Sequence, residues 1–240
     1  MPCGYSRGRI LLLDYSVDRS EAPLFTAYIP EDFSCETVYV YFNEEIPSPY
    51  GYTHVIHTGS SASICEKADY LADSIQLVCD CVEKGIPQLG VCYGHQLLCL
   101  ALLGRKAVER CSNGIEAGWV EVSMRGEGLN IAEEPLVRVL QSHFDRVNEI
   151  PRSSEIIAAN EHTAIQGFLD EEKLLLGLQF HPEFTREEGN RLFEKDRELL
   201  EQNGIDLDGV LSSGPSLNTG DVFIGHFLRR CWRIRQELRI

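Results

Sequence analysis

No stretch of this chain approaches the roughly 20 consecutive apolar residues that a membrane-spanning helix needs. The opening residues MPCGYSRGRILLLDYS lack the long apolar core and small-residue cleavage site of a secretory leader. No membrane partner is therefore expected, and the location expected is cytoplasmic. Positive charge is in short supply: 22 Lys and Arg stand against 37 Asp and Glu, a formal net charge of −15. Such a surface repels phosphate backbones, so nucleic acid is not an expected partner. Cysteine is plentiful, at nine residues, but no second pair at zinc-ligand spacing accompanies Cys79 and Cys81. No metal is expected there, and the odd number reads as reduced thiols, most of them packing residues. Internal repeats and low-complexity linkers are also missing, and 240 residues suffice for one large α/β domain.

What is present is alternation. Short apolar runs bounded by turn signals are separated by helical patterns, as in βαβ units feeding a mostly parallel sheet. RILLLD (Arg9 to Asp14), TVYVYF (Thr37 to Phe42), THVIHTG (Thr53 to Gly59) and IPQLGV (Ile86 to Val91) read as four strands. A helix is expected through EKADYLADSIQLVCDCVEKG, with Gly85 as its stop, and another through GHQLLCLALLG. Between Trp119 and Phe180 the strand-like runs WVEVSM, SEIIAAN, TAIQGF and KLLLGLQF suggest a smaller, partly antiparallel sheet packed on the main one. TREEGNRLFEKDRELLEQNG then reads as an exposed amphipathic helix, and DVFIGHFLRRCWRIRQEL as a closing helix with a basic end.

Cys92 sits where an apolar strand passes abruptly into a helix, with Gly90 and Gly94 two residues to either side. A strained turn of this kind exposes one side chain at its apex, and small neighbours relieve the crowding. The helix N-terminus favours thiolate and offers backbone N–H groups to a developing oxyanion. A lone G-x-C-x-G fits a buried core cysteine about as well, which is how Cys99, among leucines, is read.

A second stretch decides between them. GVCYGHQ, followed much later by GLQFHPEF, resembles the class I glutamine amidotransferases, a family built on Cys, His and Glu; the likeness runs from about Val55 to Phe227 and is nearest to the glutaminase half of GMP synthase and its stand-alone relatives. The resemblance implies a flavodoxin-like α/β fold: an open, mostly parallel sheet flanked by helices, with a smaller partly antiparallel sheet. It implies that residues 1–240 form a single such domain with a helical C-terminal extension over about 185–240. By the same resemblance Cys92 is the nucleophile, His181 the general base and acid, and Glu183 the group that orients the imidazole. The oxyanion hole falls to the N–H groups of Tyr93 and Ser60, with Gly59 letting the second turn close. Gln96 would line the substrate pocket. In QSHFDRV, Ser142 would meet the α-carboxylate of glutamine and Asp145 its α-ammonium, while Phe144 stands where glycine is common. SNGIEAGWVEV also matches the family, without a role for any one residue.

The residues alone read as a thiol hydrolase or transferase acting on an acyl group; the resemblance narrows that group to a γ-glutamyl amide, and no cofactor is implied. The sequence holds no phosphate-binding loop of the G-x-x-x-x-G-K-S or SGGxDS kind. Ammonia would thus pass to a separate synthetase, or the substrate would be a γ-glutamyl peptide hydrolysed for its own sake. A catalytically silent regulatory module is the alternative from another class.

Overall fold

Ile10, Leu11, Leu12 and Leu13 are all completely buried. A strand apolar at every position, rather than at alternate ones, needs cover on both faces, as in a parallel sheet between helices. The computed structural model, which describes residues 7–238 (except the side chains of 129 and 235–238), shows that arrangement. Along the chain it runs β1 (Gly8–Asp14), α1 (Glu21–Thr26), β2 (Phe33–Tyr39), β3 (His54–His57), α2 (Leu71–Glu83), β4 (Gln88–Val91) and α3 (Tyr93–Leu103). There follow β5 (Val108–Arg110), β6 (Glu116–Met124), α4 (Glu127–Ala132), β7 (Leu136–His143), β8 (Asp145–Val147) and β9 (Glu155–Ala159). The last part comprises β10 (Gly167–Asp170), β11 (Leu175–Leu178), α5 (Arg186–Lys195), α6 (Arg197–Gln202), α7 (Leu207–Ser212) and α8 (His226–Leu238).

The nine-stranded sheet has the order β2-β1-β3-β4-β11-β10-β9-β6-β7. Its strands are parallel from β2 to β11 and antiparallel from β11 onward. β5 and β8 make a separate antiparallel pair. The α/β class and the mainly parallel sheet with a small antiparallel one stand as expected. The strands of the 119–180 region, however, extend the main sheet edge to edge through β10 and β11 instead of packing on its face.

Residues of β1 point alternately into two cores. Leu11 and Leu13 pack with Leu77 and Val78 of α2 and Leu97 and Leu98 of α3; Ile10 and Leu12 pack with Phe25 of α1 and with Phe223, Phe227 and Leu228 near the C-terminus. Each such side chain contributes roughly 1.5–3 kcal/mol of burial, offset by the cost of ordering it. Residues 219–231 thus belong to the main core.

Several boundaries differ from expectation: α2 starts at Leu71 rather than at 66, and the strand expected over 163–168 lies at Gly167–Asp170. The second strand lies at Phe33–Tyr39 rather than at 37–42, because Val40–Phe42 wind into a tight turn capped by Asn43 at φ 57. The helix expected over 185–204 breaks at Asp196, whose backbone (φ −97, ψ 14) separates α5 from α6. Gly85 does end α2, at φ 63. The basic end expected for α8 falls from 235 onward outside the described side chains, as Cys3 falls outside the described residues. Among the described residues no helix is long and apolar enough to cross a membrane.

Candidate active site

The elbow between β4 and α3 is the most constrained turn of the site. Cys92 has φ 49 and ψ −101, a conformation that costs a non-glycine residue about 1–3 kcal/mol. It is held by its own N–H, which donates to the Leu178 carbonyl of β11 at 2.8 Å, and by its carbonyl, which accepts from the Gln96 N–H at 3.1 Å. The flanking glycines are demanded by contact. A Cβ on Gly90 would lie 2.4 Å from the Gly94 carbonyl oxygen, and one on Gly94 would lie 2.2 Å from the His57 carbonyl oxygen. One expectation is corrected here: Cys92 does not face bulk solvent. It is 4% exposed and opens onto a cleft of about 210 Å³, because the loop after β3 folds over it.

That loop brings the second candidate close. A Cβ on Gly59 would fall 2.6 Å from His181 Cε1 and 3.6 Å from Cys92 Cβ, so the bare glycine backbone fits between the two side chains. His181 follows β11 and is fixed at both ends. Its N–H donates to the Leu140 carbonyl of β7 at 2.9 Å, and Thr219 Oγ1 donates to the carbonyl of Pro182 at 2.7 Å. Its Nδ1 lies 2.6 Å from Oε1 of the fully buried Glu183. Burial disfavours the charged ring, but the Glu183 carboxylate and the Cys92 sulfur, acting by charge and by hydrogen bond, outweigh it and hold the His181 pKa well above the usual imidazole range. His57 and His95 go the other way: burial lowers them to about 4 and about 3, which leaves them neutral. Burial likewise pushes the thiols of Cys81 up to about 12 and of Cys111 to about 11.

The cleft before Cys92 is lined by Ser60, Gln96, Ser142, Phe144 and Asp145, so the expected pocket residues meet in one place. Tyr93 N–H stands at the start of α3, where backbone donors have no intrahelical acceptor. Gln96 also braces the cleft wall, since its Nε2 donates to the Asp145 carbonyl at 2.9 Å and to Gln179 Oε1 at 3.2 Å. Asp145 is itself engaged, taking a 2.5 Å hydrogen bond from Ser63 Oγ and a 3.4 Å contact from Arg110.

Several of these partners were not legible in the sequence. Arg110 comes to the cleft because β5 pairs with β8, which sets it opposite Asp145; its guanidinium lies 4.5 Å over the Phe144 ring. The unassigned segment around Glu116 proves to be a buried brace. Glu116 Oε2 contacts His143 Nε2 at 2.9 Å and accepts from Gln166 at 2.7 Å, while Asn160 donates to its Oε1 at 2.5 Å. Burial raises the Glu116 carboxyl, but His143, Asn160 and His162 more than reverse this and lower it. The motif SNGIEAGWVEV was the available signal, though nothing in it separates the buried Glu116, first residue of β6, from the exposed Glu121 of the same strand. Glu21 is the other missed neighbour: its carboxylate, His181 and Glu183 offer polar atoms all within 4.8 Å of one another. The 2.6 Å contact between Nδ1 and Oε1 marks this as a hydrogen-bonded group.

Residues 32–199 match the family model Glutamine amidotransferase class-I. The chain belongs to the class-I glutamine amidotransferase family. It is 34% identical over 151 residues to a glutamine-hydrolyzing GMP synthase of Nitrosococcus oceani, a match covering 59% of this chain and 27% of that protein. To the GMP synthase of Bordetella avium it is 30% identical over 205 residues, 78% of this chain and 36% of the relative. The chain thus spans only about a third or less of the curated relatives it matches. Among solved structures, a glutamine amidotransferase from Thermotoga maritima superposes with a TM-score of 0.79 at 25% identity, covering 95% of this chain and 99% of that one. A glutamine amidotransferase from Methylobacillus flagellatus, 22% identical, shares the fold with a TM-score of 0.68 over 80% of this chain and 77% of that one. In class-I amidotransferase terms the cleft lies at the C-terminal ends of β3, β4 and β11, the crevice where open α/β sheets hold their ligands.

Proposed function

We propose that this chain hydrolyses the γ-amide of glutamine with Cys92 as nucleophile. The observation that carries the reading is the convergence of Cys92, the ring of His181 and the buried carboxylate of Glu183 beneath one glycine turn. The thiolate of Cys92, paired with the imidazolium of His181, attacks the amide carbon. Charge on the tetrahedral oxygen is met by the N–H groups of Tyr93 and Ser60. His181 gives its proton to the departing ammonia, leaving a γ-glutamyl thioester, and then takes one from the water that releases glutamate. Glu183 keeps Nδ1 protonated, so Nε2 is the nitrogen that exchanges the proton with sulfur. An ammonia-accepting synthetase is the partner this reading calls for.

Arg110 supplies the positive charge the substrate end of the cleft requires. Its side chain remains 58% exposed, so its contact with Asp145 leaves it available to a ligand carboxylate. Arg110→Ala is expected to raise KM for glutamine about ten- to hundredfold, the worth of a charge-assisted hydrogen bond, with kcat changed by less than about threefold. Steady-state kinetics on the two proteins check this, and an unchanged KM removes Arg110 from the pocket.

A γ-glutamyl peptide is the second reading, and one feature favours it. A further cleft of about 310 Å³ lies on the His181 side, sharing Ser60, Ser61, Ser142 and Asp196 with the first and bordered by Lys195. It offers room to a leaving group larger than ammonia, while Lys195 at its border is paired with Asp18 at 3.1 Å. The deciding experiment measures ammonia release from glutamine, and cleavage of γ-glutamyl dipeptides, by the purified chain beside its Cys92→Ala variant. Ammonia release lost in the variant supports the amidase; dipeptide cleavage alone supports the peptidase. No turnover of either, even with cell extract added to supply a partner, leaves only the silent module.

A further inference from the structure

We propose that Glu21 is a positioning residue of the site: it holds a proton and donates it in a hydrogen bond to Glu183 Oε2, so that the other oxygen of Glu183 stays on His181 Nδ1. This rests on the assignment of Cys92, His181 and Glu183 above. Glu21 lies outside the segment matched by the family model, which begins at residue 32.

The geometry starts at the end of β1. Asp14 is fully buried and acts as a bracket: its Oδ1 accepts from the N–H and Oγ of Ser16, and its Oδ2 from the N–H of Ala22. The loop between β1 and α1 is thereby drawn over the sheet edge, and the first residue of α1, Glu21, is carried to the back of the His181–Glu183 pair. Polar atoms of Glu21, His181 and Glu183 lie within 4.8 Å of one another. Glu21 Oε2 and Glu183 Oε2 are both buried, and among the described residues no donor reaches either of them. Two buried carboxylates this close do not both ionise, whereas one proton between them satisfies both oxygens.

Which carboxyl keeps the proton follows from the neighbours. Glu183 faces the imidazolium through its other oxygen. Glu21 faces Glu183 and, from β1, Asp14; the groups around the adjoining cleft are Asp18, Lys195 and Asp196. Burial first, and then the charge of Glu183, push the Glu21 carboxyl well above the usual range, against a smaller opposing pull from His181. Of the two carboxyls, Glu21 is therefore the one that keeps the shared proton.

Two substitutions test this. Glu21→Gln keeps a donor in the same shape without an ionisable proton, and Glu21→Ala removes the donor. Native wild-type protein retains a proton that the unfolded chain releases above about pH 4.3. Stability that depends on this proton falls as pH rises toward the folded pKa. Between about pH 5 and 6.5 the folding constant of Glu21→Gln, measured by urea denaturation, should therefore gain about tenfold per pH unit on the wild type. The titration of His181 in the unfolded chain, at about 6.5, is common to both proteins and cancels in the comparison. In turnover, Glu21→Gln should stay within about threefold of wild type, while Glu21→Ala should lose about ten- to hundredfold in kcat with little change in KM. Alkylation of Cys92 by iodoacetamide at pH 7 should slow in Glu21→Ala and not in Glu21→Gln. A stability difference flat across the window, or a Glu21→Ala protein as active and as readily alkylated as wild type, overturns the inference. So does a Glu21→Gln protein as impaired as Glu21→Ala. The denaturation and alkylation readouts need no substrate, so a wild type that turns over nothing would sink the proposed function while leaving this test intact.

Discussion

Cys92→Gly is expected to be more stable than Cys92→Ala by about 1 kcal/mol or more, with both variants losing turnover by roughly 10⁴-fold or more. The order is the reverse of the ordinary one, in which glycine costs about 0.5–1 kcal/mol relative to alanine inside regular structure. Its cause is the backbone of residue 92, at φ 49 and ψ −101, where any Cβ is strained and glycine is not. Both substitutions remove the sulfur, so the lost thiol contacts cancel in the comparison and the strain remains. Residue 92 also stands immediately before α3, a place where glycine is tolerated better than alanine. Urea denaturation of the two variants side by side gives the difference. Equal stabilities, or an advantage to alanine, would show that the elbow carries no stored strain and that the thiol is not presented by backbone geometry. Retained turnover in either variant would remove Cys92 from the chemistry altogether.

The second large effect is expected at Gly94. Alanine at a glycine inside a helix usually stabilises by about 1 kcal/mol. Here the new Cβ would lie 2.2 Å from the His57 carbonyl oxygen and 2.7 Å from the His57 Cβ. Neither neighbour can yield. His57 is completely buried, and its ring is held by Gln88 at 3.1 Å and Tyr15 at 3.2 Å. The N–H of Gly94 moreover donates to the Thr58 carbonyl at 3.1 Å, which pins the start of α3 against the end of β3. Gly94→Ala must push the helix off the sheet, breaking that bond and displacing Tyr93 N–H from the place proposed for it in the oxyanion hole. A loss of more than about 4 kcal/mol is expected, enough to prevent accumulation of folded protein. Gly104→Ala is the control: nothing lies within 4 Å of its Cβ, so only the strain of φ 80 is felt, at about 1 kcal/mol. Thermal melting of both proteins separates the cases. A Gly94→Ala protein as stable as the control would mean that the close approach of α3 to β3 is not required.

These two residues also show what a sequence can and cannot reveal. Gly90, Cys92, Gly94 and the His181–Glu183 pair were legible because each constraint acts over a few bonds. A tight elbow must carry glycines beside its apex, and an imidazole two residues from a carboxylate can be oriented by it. Arg110, Ser63 and Glu21 gave no such signal, because each reaches the site through a pairing distant in the chain: β5 with β8 for Arg110, the loop fold onto Asp145 for Ser63, the Asp14 bracket for Glu21. The burial of Cys92 was missed for a related reason, since the loop that covers it comes from a different strand. The second strand was misplaced because β2 is an edge strand whose residues Ser34 to Glu36 are exposed, so its first half has no apolar alternation to read. The break between α5 and α6 is marked by no glycine or proline, and the helical periodicity runs straight through Asp196.

The stretch common to the family, 32–199, is not a unit that can be excised. Cutting there would take away β1, which lies between β2 and β3 in the sheet, and would leave both without their shared ladder. The same cut would remove Thr219, whose hydroxyl steadies the Pro182 carbonyl next to the imidazole. A minimal fragment designed on the shared boundaries would thus lose the prop beside its own His181, and a fusion partner is better attached beyond the last helix than in place of it.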